Sequence, residues 1–228
     1  GFLFRIYMKN KKMHKEGWST IITVLSMLVL LTIILFLFRL PLWVIGLLLL
    51  PEIIYTIVII NFFRYPNRTF AGDYLHDVVA PSDGTVVTIE EIHEPDYFQD
   101  QRIQVSIFMG VTNVHAQWCP LNGQVLKCEH EDGRFKKAYL PKSSNENERS
   151  TIVIKSDAGP VIMMRQVAGA VARRIVTYIN AGDRSEINGE LGFIKFGSRI
   201  DLFLPLDSTL CVKIGDKVKG NITTIAKI

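Results

Sequence analysis

The stretch "IKFGSRIDLFLP", residues 194–205, alternates apolar and other positions: Ile194 and Phe196 before the middle, Ile200, Leu202 and Leu204 after it. Side chains alternate across a strand, so a period of two predicts β-structure here. Gly197-Ser198 interrupts the run. On the residues alone that pair reads as a bulge or kink, which is what glycine inside a strand often marks. Working outward, "DVVAPSDGTVVTIEEI" (77–92), "RIQVSIFMG" (102–110), "STIVIKSD" (150–157), "PVIMMRQVAG" (160–169) and "RRIVTYIN" (173–180) are β-branched runs parted by Gly, Pro, Asp or Asn. No βαβ alternation or Gly-rich nucleotide loop appears. From about residue 72 the chain therefore predicts an antiparallel, mainly β domain.

Two further features shape that domain. "LPKSSNENERST" (140–151) is polar and reads as a loop. "INAGDRSEINGELGFIKF" (179–196) and "VKIGDKVKGNITTIAKI" (212–228) echo each other: strand, Gly-Asp turn, second Gly, strand. Such pieces suit a β-barrel or sandwich, the barrel-sandwich-hybrid architecture of biotinyl and lipoyl carriers. A carrier needs an exposed lysine at a hairpin tip, in a Met-Lys or Asp-Lys-Ala setting. Neither repeat has one, so the expectation is the architecture without the carrier role.

The apolar excess lies in residues 21–63. "IITVLSMLVLLTIILFLF" (21–38) carries no charge. At about 1.5 Å per residue it reaches about 27 Å, enough to cross a bilayer core. No small-residue cleavage site comes after it, which argues against a signal peptide. After "RLP" (39–41), a second run, "LWVIGLLLLPEIIYTIVIINFF" (42–63), holds Pro51-Glu52 in its middle. A carboxylate there costs about 2.5–3.5 kcal/mol on insertion scales. Two hairpins are consistent with this. One spans twice with Glu52 paired or protonated; the other lies in one leaflet with Glu52 near the headgroups. Lys9, Lys11, Lys12 and Lys15 flank one end and Arg64 and Arg68 the other, while the linker holds only Arg39. The positive-inside rule puts both ends in the cytoplasm. The expected organisation is a basic segment (1–20), a membrane helical hairpin (21–63) and a β-rich catalytic domain (64–228).

The net charge of +4 is mild. A basic cluster beside an apolar run points to anionic lipid rather than nucleic acid, and no recognition helix or zinc finger is present. Three cysteines without C-x-x-C pairs predict neither a disulfide framework nor a metal site. Three short stretches could carry chemistry, and each has a plain structural reading. Asp83 lies in "APSDGTVV" (80–87), where Pro-Ser-Asp-Gly is a good β-turn by itself. His115 lies in "MGVTNVHAQWCPLNG" (109–123), and a lone histidine is usually structural or solvated. Ser198 lies in "FGS", without the G-x-S-x-G elbow of a hydrolase.

In order along the chain, "FFRYPNR" (62–68), "APSDGTVV", "NVHAQWCPLNG", "QVAGAVARRIV" (166–176) and "GDRSEINGELGFIKFGSRIDLFLP" (182–205) resemble the compact bacterial phosphatidylserine decarboxylase proenzymes. The resemblance covers about residues 40–228, and "GELGFIKFGSRIDLFLP" is its most specific part. It implies self-cleavage between Gly197 and Ser198. Ser198 attacks the Gly197 carbonyl to form an ester, and β-elimination followed by hydrolysis leaves a pyruvoyl group at residue 198. The products are a β chain (1–197) and an α chain (198–228), an α/β heterodimer from one gene product, open to higher assembly. By motif match, His115 is the base and Asp83 its orienting partner. The resemblance further implies a self-made covalent cofactor, with no metal. It implies phosphatidylserine as substrate, decarboxylated to phosphatidylethanolamine, and a place at the inner membrane with the catalytic domain on the cytoplasmic face. Arg173, Arg174 and Arg199 are candidates for the lipid phosphate or carboxylate. Some longer relatives carry a second histidine three residues before the motif histidine; here that position is Thr112, a further candidate substrate contact that could position a water or the substrate carboxylate. The rivals are a membrane-anchored lipoyl-like adaptor without activity and a lipid serine hydrolase. Neither accounts for Asp83, His115 and Gly197-Ser198 falling together on the family's motifs.

Overall fold

The computed structural model describes residues 11–133, 148–169, 174–195 and 198–228. The chain divides into two units, Gly1–Asn67 and Arg68–Ile228. The first contains strand β1 (Lys11–Met13), helix α1 (Trp18–Leu37), helix α2 (Leu42–Phe62) and strand β2 (Arg64–Pro66). Both helices expose large apolar side chains over most of their surface, among them Ile22, Met27, Leu30, Leu47, Ile54 and Ile57, while Ile21, Val24, Leu35, Ile45 and Ile59 are buried. Helices of that kind are not at home in water. With mean hydropathies of 2.8 and 2.3, both are long and apolar enough to cross a membrane.

The link between them is short, with Arg39 at φ 51 and Pro41 as the cap of α2, where a missing N–H removes no intrahelical bond. At the far end the two strands close the hairpin. Lys12 stands opposite Tyr65 in an antiparallel pair, and the His14 N–H donates to the Phe63 carbonyl at 2.8 Å. This pairing carries the first unit past the expected boundary at residue 63, to Asn67. Helix α2 runs unbroken through Pro51, and the Thr56 hydroxyl donates to the Glu52 carbonyl at 2.8 Å.

The second unit is mainly β. Its strands are β3 (Asp77–Val79), β4 (Gly84–Glu94), β5 (Asp100–Met109), β6 (Ala116–Trp118), β7 (Gly123–Glu131), β8 (Arg149–Ser156), β9 (Val161–Ala168) and β10 (Ile175–Thr177). Then come β11 (Arg184–Ser185), β12 (Glu190–Ile194), β13 (Ser198–Leu204), β14 (Thr209–Leu210), β15 (Lys217–Val218) and β16 (Thr224–Lys227). The large sheet has the order β11-β7-β8-β9-β13-β5-β4-β15. Two three-stranded sheets, β10-β12-β6 and β14-β16-β3, accompany it. Within the polar stretch 140–151, residues 140–147 lie outside the described residues, while Arg149–Thr151 open β8.

The Ser198–Leu204 run becomes β13, an inner strand bonded to β9 on one side and β5 on the other. Ile200, Leu202 and Leu204 face the main core with Val105, Ile107, Met109, Ile152, Ile154 and Met164. The opposite face is buried too, Phe203 packing on Val153 and Met163. All of β13 is thus shielded, as expected for a strand with neighbours on both edges and layers on both faces.

The echo in the sequence is an echo in space. Gly182 and Gly215 adopt φ of 94 and 92, which only glycine holds without strain. Each donates its N–H across the sheet at 2.8 Å, Gly182 to Val125 and Gly215 to Val86. In each turn the aspartate closes the loop: Asp183 accepts from the Asn180 N–H and Asp216 from the Lys213 N–H, at 2.7 and 3.0 Å. The strands after these turns, β11 and β15, form the two opposite edges of the large sheet.

Candidate active site

Ser198 begins β13, in register with Met109 and Ala168. Its parity along the strand is that of Ile200 and Leu202, so its side chain faces the core. It is fully buried, and its Oγ has no hydrogen-bond partner among the described residues. A buried hydroxyl left unbonded costs free energy, so a fold keeps one for a reason. Gly197, which precedes it, lies outside the described residues, as does Arg173.

Strand β12 ends at Ile194, so residues 195–197 lead directly from that strand to Ser198. Alongside runs the segment carrying His115. Phe193 is paired with Ala116, and the Ile194 N–H approaches the His115 carbonyl at 3.5 Å. His115 is itself fully buried. Its Nδ1 lies 3.0 Å from the Asn113 carbonyl. A carbonyl can only accept, so Nδ1 carries a proton and donates to it. A buried imidazole whose Nδ1 proton is held by a carbonyl can present Nε2 as the atom of a general base.

Asp83 lies in the turn before β4. Both its oxygens accept from Arg68, Nη2 to Oδ2 at 3.0 Å and Nη1 to Oδ1. Oδ1 also accepts from the Gly220 N–H at 2.9 Å. The Arg68 guanidinium lies 5.4 Å from the centroid of the Trp118 ring, and the Trp118 N–H donates to Pro81 at 2.9 Å. Arg68 therefore ties the aspartate turn to the strand that continues from His115. The oxygens of Asp83 are directed at Arg68 and Gly220, while the proton on His115 Nδ1 is directed at Asn113.

The remaining candidates are spread out. Thr112 is exposed in the turn between β5 and β6, where Asn113 Oδ1 accepts from the Gly110 N–H at 2.9 Å. Arg174 is exposed, and its carbonyl accepts from the Lys195 N–H at 3.2 Å, next to the link into Gly197. Arg199 is on the face of β13 opposite Ser198. It is buried and paired with Asp201, Nε to Oδ1 at 2.9 Å. With Arg149, Arg165, Glu94 and Asp96 it lines a cavity of about 560 Å³ on that face. Sequence reasoning had no signal for the role of Arg68, although it lies inside "FFRYPNR". It also missed Gln117 and Gln166, fully buried polar residues in otherwise ordinary strand patterns.

The family model described as phosphatidylserine decarboxylase matches residues 55–226. Curated relatives named phosphatidylserine decarboxylase proenzyme include one from Bacteroides fragilis, 48% identical over 226 residues, with 97% of both chains covered. One from Phocaeicola vulgatus is 45% identical over 224 residues, again covering 97% of both. One from Porphyromonas gingivalis is 46% identical over 219 residues, covering 95% of this chain and 99% of the relative. No solved structure matches the chain.

Proposed function

The chain belongs to the phosphatidylserine decarboxylase family, and from that premise we propose that it decarboxylates phosphatidylserine to phosphatidylethanolamine with a pyruvoyl group made from its own Ser198. The observation that carries this reading is the buried, unbonded Ser198 Oγ at the head of an inner strand, beside the strand end bonded to His115.

His115 Nε2 takes the Ser198 hydroxyl proton as Oγ adds to the Gly197 carbonyl carbon. The C–N bond then breaks, the Ser198 nitrogen takes a proton, and an ester joins the two residues. β-Elimination expels the Gly197 carboxylate, and hydrolysis with loss of ammonia leaves the ketone. Glycine at position 197 suits this because the hydroxyl must reach its own preceding carbonyl, a backbone geometry that other residues resist. Asp83, held by Arg68, acts on the His115 strand. When formed, the pyruvoyl group supplies an electron sink for decarboxylation. In the uncut chain position 198 lies between Met109 and Ala168, so two neighbouring strands are in place to hold the new chain end. Arg173 and Arg174 are the proposed cationic contacts for the lipid headgroup; Arg199, buried against Asp201 on the face opposite Ser198, is turned away from the reacting end. The α and β chains form the working heterodimer.

The test is a denaturing gel with intact-mass measurement. Wild type should give chains of residues 1–197 and 198–228, the smaller with a blocked N-terminus. Ser198→Ala should remain one chain and release no CO2 from phosphatidylserine. Cleavage of Ser198→Ala at this bond would assign the cut to an outside protease. For location, we place the hairpin in the inner membrane with both ends cytoplasmic. Protease added outside intact spheroplasts should then spare residues 70–228, and digestion there would reverse the orientation.

A further inference from the structure

The two edges of the large sheet share one backbone plan and carry different chemistry. Gly182 and Gly215 donate to Val125 and Val86, which donate back to Asp183 and Asp216 at 2.9 Å. Ile187 and Gly220 then donate to Asn122 and Asp83. Asn188 and Asn221 close the two segments, both at positive φ, 73 and 57, with Asn221 Nδ2 donating to Asn188 Oδ1 at 2.8 Å. The main chain is satisfied in the same way at both edges. Differences between the exposed side chains are therefore not demanded by the turn.

Those differences all run in one direction. Where the β11 edge has Asn180, Ala181 and Glu186, the β15 edge has Lys213, Ile214 and Lys219. Arg184 at the first edge is paired with Asp157, Nη1 to Oδ1 at 2.9 Å. Its counterpart Lys217 is exposed, and neither it nor Lys213 or Lys219 has an ion-pair partner among the described residues. Residues 213–219 hold three lysines against one aspartate, residues 180–186 one arginine against two carboxylates. Ile214 is 60% exposed in its turn. Val87, the extra residue of the β4 bulge beside that turn, is exposed too. Val218 faces the main core, so Lys217 and Lys219 on either side of it point outward together.

Lysines alone have a plain use at a sheet edge, where they block pairing with another chain. An exposed isoleucine in the same turn works against that use. An apolar turn flanked by unpaired ammonium groups instead matches a surface that is anionic outside and apolar beneath. We propose that the β15 edge is a docking surface for an anionic lipid bilayer, with Ile214 and Val87 entering the headgroup layer and Lys213, Lys217 and Lys219 lying among the phosphates. Phosphatidylserine is itself anionic, whereas phosphatidylethanolamine carries no net charge. The surface thus holds the β-rich unit where substrate is plentiful and loosens as substrate is consumed.

The test uses the full-length chain in phosphatidylcholine vesicles with or without phosphatidylglycerol, an anionic lipid that lacks the serine headgroup. A dye is attached at Ile214→Cys, or at Ala181→Cys in the equivalent turn. Both are made with the exposed Cys211 replaced, Cys211→Ser, and that variant alone gives the background. Quenching by a spin label carried just below the lipid headgroup reads docking. The dye at 214 should be quenched when phosphatidylglycerol is present, and the dye at 181 should not. Lys217→Gln and Lys219→Gln should each lower the ratio of docked to undocked protein by about fivefold, and added salt should lower it further. Equal quenching at 214 and 181, or quenching at 214 that ignores phosphatidylglycerol, overturns the inference. So does a response at 214 that follows protein concentration rather than lipid, which makes the edge an interface with a second copy. Glutamine variants that self-associate while docking is unchanged leave the lysines as edge guards, and the inference falls. The readout needs neither cleavage nor decarboxylation, so it stands or falls apart from the proposed function.

Discussion

Asp83 and Asn122 hold equivalent places in two turns, Pro-Ser-Asp-Gly and Pro-Leu-Asn-Gly. Each side chain accepts a backbone N–H from one of the two echoing segments: Asp83 from Gly220 at 2.9 Å, Asn122 from Ile187 at 2.7 Å. A neutral amide therefore suffices for the turn. The charge at 83 serves Arg68 and, in the proposed mechanism, the base. Asp83→Asn should keep the fold, with a loss of about 1–3 kcal/mol for the weakened Arg68 contacts, and should cleave at least about 10²-fold more slowly. Thermal melts beside a cleavage time course separate the two effects; cleavage at the wild-type rate would leave Asp83 a turn residue only. Position 112 carries a second residue-scale prediction. A threonine hydroxyl has no useful pKa near neutrality, so His115 should also supply the proton to the decarboxylated carbon. With the α and β chains matured and the ketone in place, His115→Ala should turn over about 10²–10⁴-fold more slowly, while Thr112→Val should keep most activity. Headspace CO2 assays on the two variants check this; a dead Thr112→Val with intact cleavage would move the role to residue 112.

At the scale of the element, β4 ends in a carboxylate that organises the turn leading to β5. Glu94 is 1% exposed. It accepts from the N–H groups of Asp96, Tyr97 and Phe98 at 2.8–3.1 Å, and it pairs with Arg165 at 3.3 Å. Burial pushes its pKa up, but the three N–H groups and Arg165 together outweigh that and hold it below the ordinary value. A depressed folded pKa stabilises the fold at pH above the unfolded carboxylate value, about 4.3. That contribution is lost as pH falls through the folded pKa. Glu94→Gln should therefore cost about 1–3 kcal/mol near neutrality and much less at pH about 3. Urea titrations of both proteins at the two pH values test this, and a difference that does not shrink in acid would point to packing rather than charge.

For the whole molecule, the consequence of cutting at 197–198 depends on where the α chain lies. It would supply β13 at the centre of the large sheet, β15 at one edge, and β14 and β16 of a small sheet. Ile200, Leu202, Leu204, Val218 and Ile225 all belong to the one main core. The two chains should thus co-elute in detergent without denaturant, and should unfold in a single thermal transition of the β-rich unit. Separation of the small chain under native conditions would show that β13 is held less firmly than its two ladders imply.

What the sequence determined by itself was local. Period-two runs specified strands such as β5, β9 and β13, because alternation is a property of consecutive residues. Unbroken apolar length specified the two helices, and two Gly-Asp turns specified the repeated edge segments. The resemblance added the family, through motifs scattered along the chain. Only the tertiary structure decided which distant residues meet. Arg68 grips Asp83 and Gly220, Gln166 donates to Gln117, and Arg199 turns to the face opposite Ser198 to pair with Asp201. Those contacts depend on strand order and register across long loops. A single strand's pattern does not encode its neighbours, so no window of consecutive residues could have shown them.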